Sequence, residues 1–541
     1  MFSYPILAEV IKSFYPDVKS GHYLGLFFIY DKALYKMGGV VIRYQQFFNI
    51  KSKEDRNVKK QRYQLSPNLR IISDSKSEMA MVYHTLYGNP RIVNNEGLQF
   101  LDFFRQLTTV EEVSKMCDED PKGTIQEFAE IFFLVESGFD EKKFLQEKKT
   151  QQLAQVQERR TVDRMGLAIS DSCNFKCTHC IHFQPKTNSD QALPLYQQTA
   201  PQLNMTWKTA KRCVDQYIAL MREQGRTHGN IHFGNAEPLV NWPVIERVLE
   251  YCSKMDDLSF EFAINTNLVL MTRQIAEIFK RYQVRIATSL DGTHTANDAI
   301  RVTKGGQGTF ARILEKFDLL VEIGYPLDGF SITVTRGNFE LVDTDVLDLA
   351  IERKMTSIAF DYNLVGLVHV PVEKRIAKLM RLKKYANEHG INFFGTWDSP
   401  FRNLTSESLL SGDHAFCAAV QGKTLEFNVD GSIKICSHTT TTVGHIDSFD
   451  EIFEERGNLV QIVASRFPGT DAYCSGCEIE GPCGGQCHVT REVVSRSAVE
   501  GQQKFFDDMC DFYRRVTEAL AVEYLRSNGT AAVGNCQTCT L

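Results

Sequence analysis

Through the middle of the chain, short apolar runs alternate with longer stretches in which apolar residues recur every three or four positions. The runs at 165–170, 230–234, 260–265, 284–290, 329–335 and 356–361 have the length and residue content of strands. Between them, Ala210, Cys213, Val214, Tyr217, Ile218 and Met221 fall on one stripe of a helix over 207–223. Ile313, Phe317, Leu320 and Val321 do the same over 311–323, with Gly324 as the stop signal. Six such strand–helix units predict an α/β fold. The parallel sheet, with its crossover helices, curves into a partial barrel whose chemistry sits at the strand C-terminal ends.

The pattern changes at both ends. Tyr23–Tyr30 and Gly39–Tyr44 read as strands, and Lys51–Arg62 as a charged, exposed connection. From about 80 to 148 the signals are helical. Leu98, Leu101, Phe104 and Leu107 share a stripe, Thr109-Val110-Glu111-Glu112 is a capping box, and Ile125, Phe128, Ile131, Phe132 and Val135 mark a third helix closed by Ser137-Gly138-Phe139. Three short helices with flanking strands predict a small winged-helix-like α+β domain. Glu141 to Arg164 is rich in Gln, Lys, Glu and Arg and reads as a solvated linker helix. The division is a region of unknown role at 1–80, a winged-helix-like domain at 81–148, a linker at 149–164 and the barrel at 165–400. A cysteine-rich domain follows at 401–515, with a tail at 516–541.

Length and charge narrow the picture. At 541 residues the chain exceeds one ordinary domain. Net charge is −6, pI about 6.2, and Cys117-Asp118-Glu119-Asp120 is acidic, which argues against nucleic-acid binding. No apolar run approaches the roughly 18 residues of a membrane span, and the first residues lack a signal-peptide pattern. Fifteen cysteines in such a chain point to metal ligation in a reducing cytoplasm, not to disulfides.

The candidate chemistry is carried by cysteines. Cys173, Cys177 and Cys180 are spaced C-x3-C-x2-C just after the first barrel strand, and three thiolates suit either a [4Fe-4S] cluster with one open iron or part of a zinc site. Polar groups gather at later strand ends: Gly234 and Glu237 after the second, Asn265 after the third, Ser289 and Asp291 after the fourth, then Asp298 and Arg301. Farther on come Cys417, Cys436, Cys474, Cys477, Cys483, Cys487 and Cys510, with His438 two residues after Cys436. Cys536 and Cys539 form a C-x2-C that suits a cluster ligand, a redox pair, a weak metal site or an exposed dithiol. Cys117, Cys213 and Cys252 sit in apolar helical patterns as small core residues.

The first motif resembles the signature loop of radical S-adenosylmethionine (SAM) enzymes, with His179 where an aromatic residue is usual. The resemblance implies a cluster on Cys173, Cys177 and Cys180 whose open iron binds SAM, and reductive cleavage to a 5'-deoxyadenosyl radical. Gly234-Asn235-Ala236-Glu237-Pro238 resembles that family's Gly-Gly-Glu-Pro motif. Gly234, Glu237, Asn265, Ser289, Asp291 and Arg301 thereby become cofactor-binding positions, with Glu237 on the methionine amino group and Arg301 on its carboxylate. The later cysteines resemble the SPASM extension, which implies two auxiliary [4Fe-4S] clusters. Cys417, Cys436 and Cys487 would hold one, with Asp413, His414 or the tail as a possible fourth ligand. Cys474, Cys477, Cys483 and Cys510 would hold the other.

Residues 81–148 resemble the peptide-recognition domain of enzymes that modify ribosomally made peptides. Together these resemblances imply a peptide maturase that crosslinks, oxidises or epimerises residues of a precursor peptide. They also imply three clusters, SAM, and an electron donor such as flavodoxin or ferredoxin, with no nucleic-acid or membrane partner. Ser437 and His438 stand where sulfatase-maturing relatives carry an aspartate base, and His438 becomes the candidate base. The alternatives are a formylglycine-forming maturase, a docking or dimerisation role for residues 81–148, and a non-catalytic metal-bound scaffold.

Overall fold

Two small antiparallel sheets begin the described chain. The computed structural model describes residues 61–180, 203–406, 415–496 and 502–528, all within a unit spanning Lys59–Leu541. The strands expected at 23–30 and 39–44 lie outside the described residues. β1 (Arg62–Leu65) pairs with β5 (Thr108–Thr109) and β6 (Leu134–Glu136), while β2 (Leu69–Ser73), β3 (Ala80–His84) and β4 (Gly88–Val93) form the second sheet in that order.

Helices α1 (Asn95–Asp102), α2 (Val110–Ser114) and α3 (Lys122–Glu130) bury Phe100, Leu101, Val113, Ile125 and Phe128 around Val82 and Tyr63. The capping box is present: Thr109 caps α2 and Glu112 returns the bond to its backbone. The third helix is shorter than its periodicity suggested. It ends at Glu130, Phe132 takes a left-handed backbone (φ 63°), and Leu134–Glu136 pairs with β1 as a strand, burying Phe133 and Leu134.

α4 (Glu141–Gln157) also departs from the expected boundaries, beginning at an Asp140 cap and ending before Arg159 turns the chain (φ 60°). It is only partly solvated, because Gln152 and Val156 are buried. Its first residue ties it to the domain before it. The Glu141 carboxylate accepts from Asn68 and from the Tyr87 hydroxyl (3.2 Å) and lies 3.4 Å from His84 Nε2. His84 Nδ1 accepts from the amides of Leu86 and Tyr87, so Nε2 carries the proton toward Ser66 and Glu141.

The barrel wall is built from β7 (Arg164–Ala168), β8 (His228–Gly234), β9 (Ser259–Asn265), β10 (Arg285–Ala287), β11 (Gly329–Val334), β12 (Ser357–Tyr362) and β13 (Asn392–Phe394). Neighbours among β7–β10 and among β11–β13 run parallel, and a bridge between Ser289 and Ser331 joins the two groups. On the far side, β14 (Thr424–Phe427) pairs parallel with β7 and continues into antiparallel β15 (Ser432–Lys434) and β16 (Thr442–His445). The cysteine-rich region therefore extends the barrel sheet.

Alternation explains the layers. Met165, Leu167, Ile231, Phe233 and Ile264 are buried in one core with the apolar stripes of α5 (Trp207–Glu223) and α6 (Trp242–Cys252). Their sequence neighbours Gly166, His232 and Ala263 face the opposite, inner side. Cys213 and Cys252 belong to the core, as their helical pattern predicted.

The expected tail at 516–541 starts inside a helix. After α7 (Arg273–Tyr282), α8 (His294–Ile300), α9 (Phe310–Glu322), α10 (Asp345–Glu352), α11 (Val372–Glu388), α12 (Ser399–Thr405), α13 (Asn458–Ser465), α14 (Glu480–Cys483) and α15 (His488–Arg496), α16 runs from Gln502 to Asn528. It carries Cys510 and buries Met509, Phe512, Val516 and Leu520 in the main core. Arg526 pairs with Asp74 of the loop after β2 (2.7 Å), Glu523 with Lys383 and Asp508 with Arg375 of α11. No helix among the described residues is long and apolar enough to cross a membrane.

Because Glu141 satisfies three partners at once, Glu141→Ala is expected to cost about 1–3 kcal/mol. Thermal denaturation, with limited proteolysis around 137–141, checks this: cleavage there should rise while the barrel fragment stays intact.

Candidate functional site

The C-x3-C-x2-C loop is fixed by pairing with the segment after α8. Lys176 N donates to Val302 O and Thr178 N to Ile300 O, each at 2.8 Å, and Phe175 bridges Thr303. Phe175 is buried in the core, so the three cysteines are carried on an anchored loop at the mouth of the barrel. Cys173 Sγ accepts from the Phe175 amide (3.4 Å) and from Asn267 Nδ2 (3.8 Å); Cys177 Sγ accepts from Arg301 Nη1 (3.9 Å). Burial pushes the Cys173 thiol up to about 12 and Cys177 up to about 11, and each thiol raises its neighbours further. Thiolates here need a bound cation.

The donor set fits a cluster. Among the described residues, no three His, Cys, Asp or Glu side chains converge on a point one metal ion could occupy. The three cysteines are near enough to perturb one another, and three thiolates carried on one anchored loop suit a cubane with one thiolate on each of three irons.

Around the loop stand the polar residues expected at the strand ends. Glu237 is fully buried and accepts from Thr266 Oγ1 (2.6 Å), the Asn267 amide (2.7 Å) and the Leu239 amide (3.0 Å), so it fastens the end of β8 to that of β9. Burial raises its carboxyl to about 7 against the pull of these bonds. Asn265 is exposed at the end of β9, and Ser289 bonds to Ser331 across β10 and β11 (2.9 Å). Asp291 is fully buried and binds Arg301 Nε and Nη2 (3.0 and 2.7 Å) and the Thr333 amide (2.8 Å). Asn235 takes the left-handed backbone (φ 69°) favoured by glycine, and its side chain bonds Asp171 (2.9 Å). The sequence places Asn267 in the same polar cluster as the preferred Asn265, and it is Asn267 that bonds Glu237, Asn174 and Cys173 at once.

The other cysteines fall into two groups. Cys474, Cys477, Cys483 and Cys510 line one small cavity of about 30 Å³, together with Gln486, Arg491 and Tyr513. Four thiols around one void from three separate elements fit a cluster and no evident packing purpose. Cys417, Cys436 and Cys487 influence one another electrostatically in a second group, where burial pushes Cys436 up to about 12. Asp413, His414, Cys536 and Cys539 lie outside the described residues.

Inside the barrel lies a set of groups that motif reading did not find. Glu426, Gly166, His232, Ala263 and Arg285 occupy one register row across β14, β7, β8, β9 and β10. A side chain at Gly166 would collide with the Glu426 carboxyl, which takes that space. Glu426 Oε2 is buried with no hydrogen-bond partner, and burial raises the carboxyl to about 8. Burial first, then the nearby Arg164 and His438, bring His232 down to about 4, and burial lowers His438 as well. His438 is thus placed beside the inner row. The clue in sequence was the glycine at 166 in an otherwise apolar strand.

Glu426 gives a signed pH prediction. The unfolded chain ionises it above about 4.5, whereas the folded chain holds the proton to about 8. The folded state therefore binds more protons in this window, and stability falls as pH rises from 4.5 to 8. Glu426→Gln should remove that loss, on the order of 4 kcal/mol by pH 8, with little change at pH 4.5. Urea midpoints of both proteins across the window check it.

Comparison with known proteins agrees with this geometry. Residues 167–340 match the family model described as the radical SAM superfamily. The chain is 23% identical over 412 residues to the radical SAM cyclopropyl synthase TigE of Paramaledivibacter caminithermalis, covering 75% of this chain and 85% of that protein. It is 24% identical over 172 residues to the cysteine-type anaerobic sulfatase-maturating enzyme of Clostridium novyi, covering 31% of this chain and 42% of that one. The solved structure of native anSMEcpe with bound AdoMet has the same fold at 15% identity (TM-score 0.52), covering 67% of this chain and 99% of that one. The domain match implies a [4Fe-4S] cluster and SAM, and it displaces the scaffold alternative. The cysteine loop and most of the parallel half-barrel fall within residues 167–340, so this chain is an enzyme carrying a domain that matches the radical SAM superfamily.

Proposed function

We propose that this enzyme modifies residues of a ribosomally made peptide, with two auxiliary clusters beside the SAM-binding one. The observation carrying the reading is the four-cysteine cavity beyond the barrel, in a chain similar over 75% of its length to a cyclopropyl synthase. Cys173, Cys177 and Cys180 hold the SAM-binding cluster. When bound, cluster and SAM supply a 5'-deoxyadenosyl radical able to take hydrogen from an unactivated carbon. Gly234, Glu237, Asn265 and Ser289 place SAM at the strand ends, and Asp291 and Arg301 border that place. Cys474, Cys477, Cys483 and Cys510 hold one auxiliary cluster, and Cys417, Cys436 and Cys487 the other.

The chain's own residues position the peptide and manage protons. The inner row one residue pair below the strand ends, about 7 Å by strand geometry, receives the target side chain. His438 serves there as base. The leader segment adds a strand to the sheet β2–β3–β4, whose other edge, β4, is blunted by Pro90. A flavodoxin or ferredoxin supplies the electron. Oxidation of Ser or Cys to formylglycine is the second reading, favoured by the similarity to the sulfatase-maturating enzyme.

The test starts with anaerobically reconstituted protein. Three clusters predict about twelve irons per chain, falling to about eight in Cys173→Ala/Cys177→Ala/Cys180→Ala, which also loses 5'-deoxyadenosine formation from SAM with dithionite. Bound zinc, or SAM cleavage surviving in the triple variant, defeats the proposal. Short peptides encoded beside the gene then separate the readings by mass spectrometry. A modified peptide supports the first, and a formylglycine mass change in a sulfatase fragment supports the second.

A further inference from the structure

We propose that Arg301 is a positioning residue for the cysteine loop, and that its guanidinium raises the reduction potential of the cluster held there. The inference rests on the cluster assignment above and goes beyond it. Arg301 is only 8% exposed. Its backbone sits between Ile300 and Val302, the two residues whose carbonyls hold the loop amides of Thr178 and Lys176. Its side chain is committed too: Nε and Nη2 bond Asp291 Oδ2, and Nη1 reaches Cys177 Sγ at 3.9 Å.

Asp291 is held from several sides. Its Oδ1 accepts from Thr333 of β11 (2.8 Å), its amide donates to Asn297 Oδ1 of α8 (3.1 Å), and its carbonyl accepts from Asn338 Nδ2 (3.1 Å). His179, next to Cys180, lies 3.4 Å from Asp291 Oδ2 through Nε2. The carboxylate thus grips the cysteine loop through His179 and fixes the guanidinium that faces Cys177. Swinging Arg301 toward the carboxylate of a bound ligand would break a buried ion pair and leave Asp291 uncompensated.

A fixed cation donating to a ligand sulfur favours the more negative, reduced cluster. Asp291 opposes this, but it bonds Nε and Nη2 while Nη1 is the group turned to the Cys177 sulfur, so the cation is the nearer charge. The sign therefore follows from geometry: removing the cation lowers the potential and removing the anion raises it.

The experiment is an EPR-monitored redox titration of the full reconstituted chain without SAM. The relevant cluster is identified as the signal that changes when SAM is added to a parallel sample. At the wild-type midpoint, Arg301→Met is expected to lower the ratio of reduced to oxidised cluster about tenfold, equivalent to ~59 mV for one electron. Arg301→Lys should recover part of the shift, and Asp291→Asn should move the midpoint upward. An unchanged midpoint in Arg301→Met with loss of SAM affinity overturns the proposal and makes Arg301 a SAM contact. Should Arg301→Met fail to assemble the cluster, Asp291→Asn decides alone, and a downward or absent shift overturns the proposal. Wild-type iron content, measured first, separates failure of the cluster assignment from failure of this inference.

Discussion

The site depends on a short antiparallel pairing between the cysteine loop and the segment after α8. Two backbone hydrogen bonds and the Phe175–Thr303 bridge turn a loop into an extra strand over the barrel mouth. A free loop would let the three half-buried thiols drift apart, because they repel one another once ionised. Pairing holds them while Phe175 is kept in the core, so the desolvated donors persist without a ligand and bind one with little reorganisation. Three polar groups at the mouth are oriented relative to this loop: Glu237 through the Ser172 carbonyl, Asn267 through Asn174, and Arg301 through Cys177.

A second constraint comes from the sheet. In a parallel barrel, residues two apart on a strand share a face, and adjacent strands bring equivalent positions into rows. The row ending in Gly234 and Asn265 lies at the mouth, and the row through Gly166 and His232 lies one step inside. Adding β14 beside β7 places Glu426 in the inner row, and the turn after β15 brings Cys436 and His438 next to it. The cysteine-rich region thereby contributes to the interior of the barrel as well as to its own metal sites.

What the sequence disclosed follows from what each signal measures. Strand and helix positions in the barrel were legible because both layers alternate cleanly, as in Met165–Leu167 and the stripe of α5. The grouping of the cysteines was legible because their spacing reflects connectivity around fixed sites. The third helix was overextended because Phe132 and Val135 continue its period, and only the pairing of Leu134–Glu136 with β1 ends it. Pairing partners distant in sequence leave no local trace. The same reason hid Glu426, the bonds of Asn267 and the anchoring of the last helix by Asp74, whose partners lie 260, 94 and 452 positions away in Gly166, Cys173 and Arg526.

The departures from the family motif have local explanations that leave the site intact. Asn235 stands where a glycine is usual, yet asparagine is the side chain best suited to the left-handed backbone the turn requires, and it gains a bond to Asp171. Ala236 asks nothing of the turn beyond a small side chain. His179 replaces an aromatic residue and keeps a flat ring in a buried place, and it adds a nitrogen that meets Asp291. Burial holds that ring well below the ordinary histidine range, at about 4, so it contributes no charge to a pocket already balanced between Asp291 and Arg301. Asn235 and His179 each exchange a feature of shape for a polar contact with a carboxylate already fixed in the fold. A motif matched by letter would reject these positions, whereas the backbone angles and carboxylates around them accept each one.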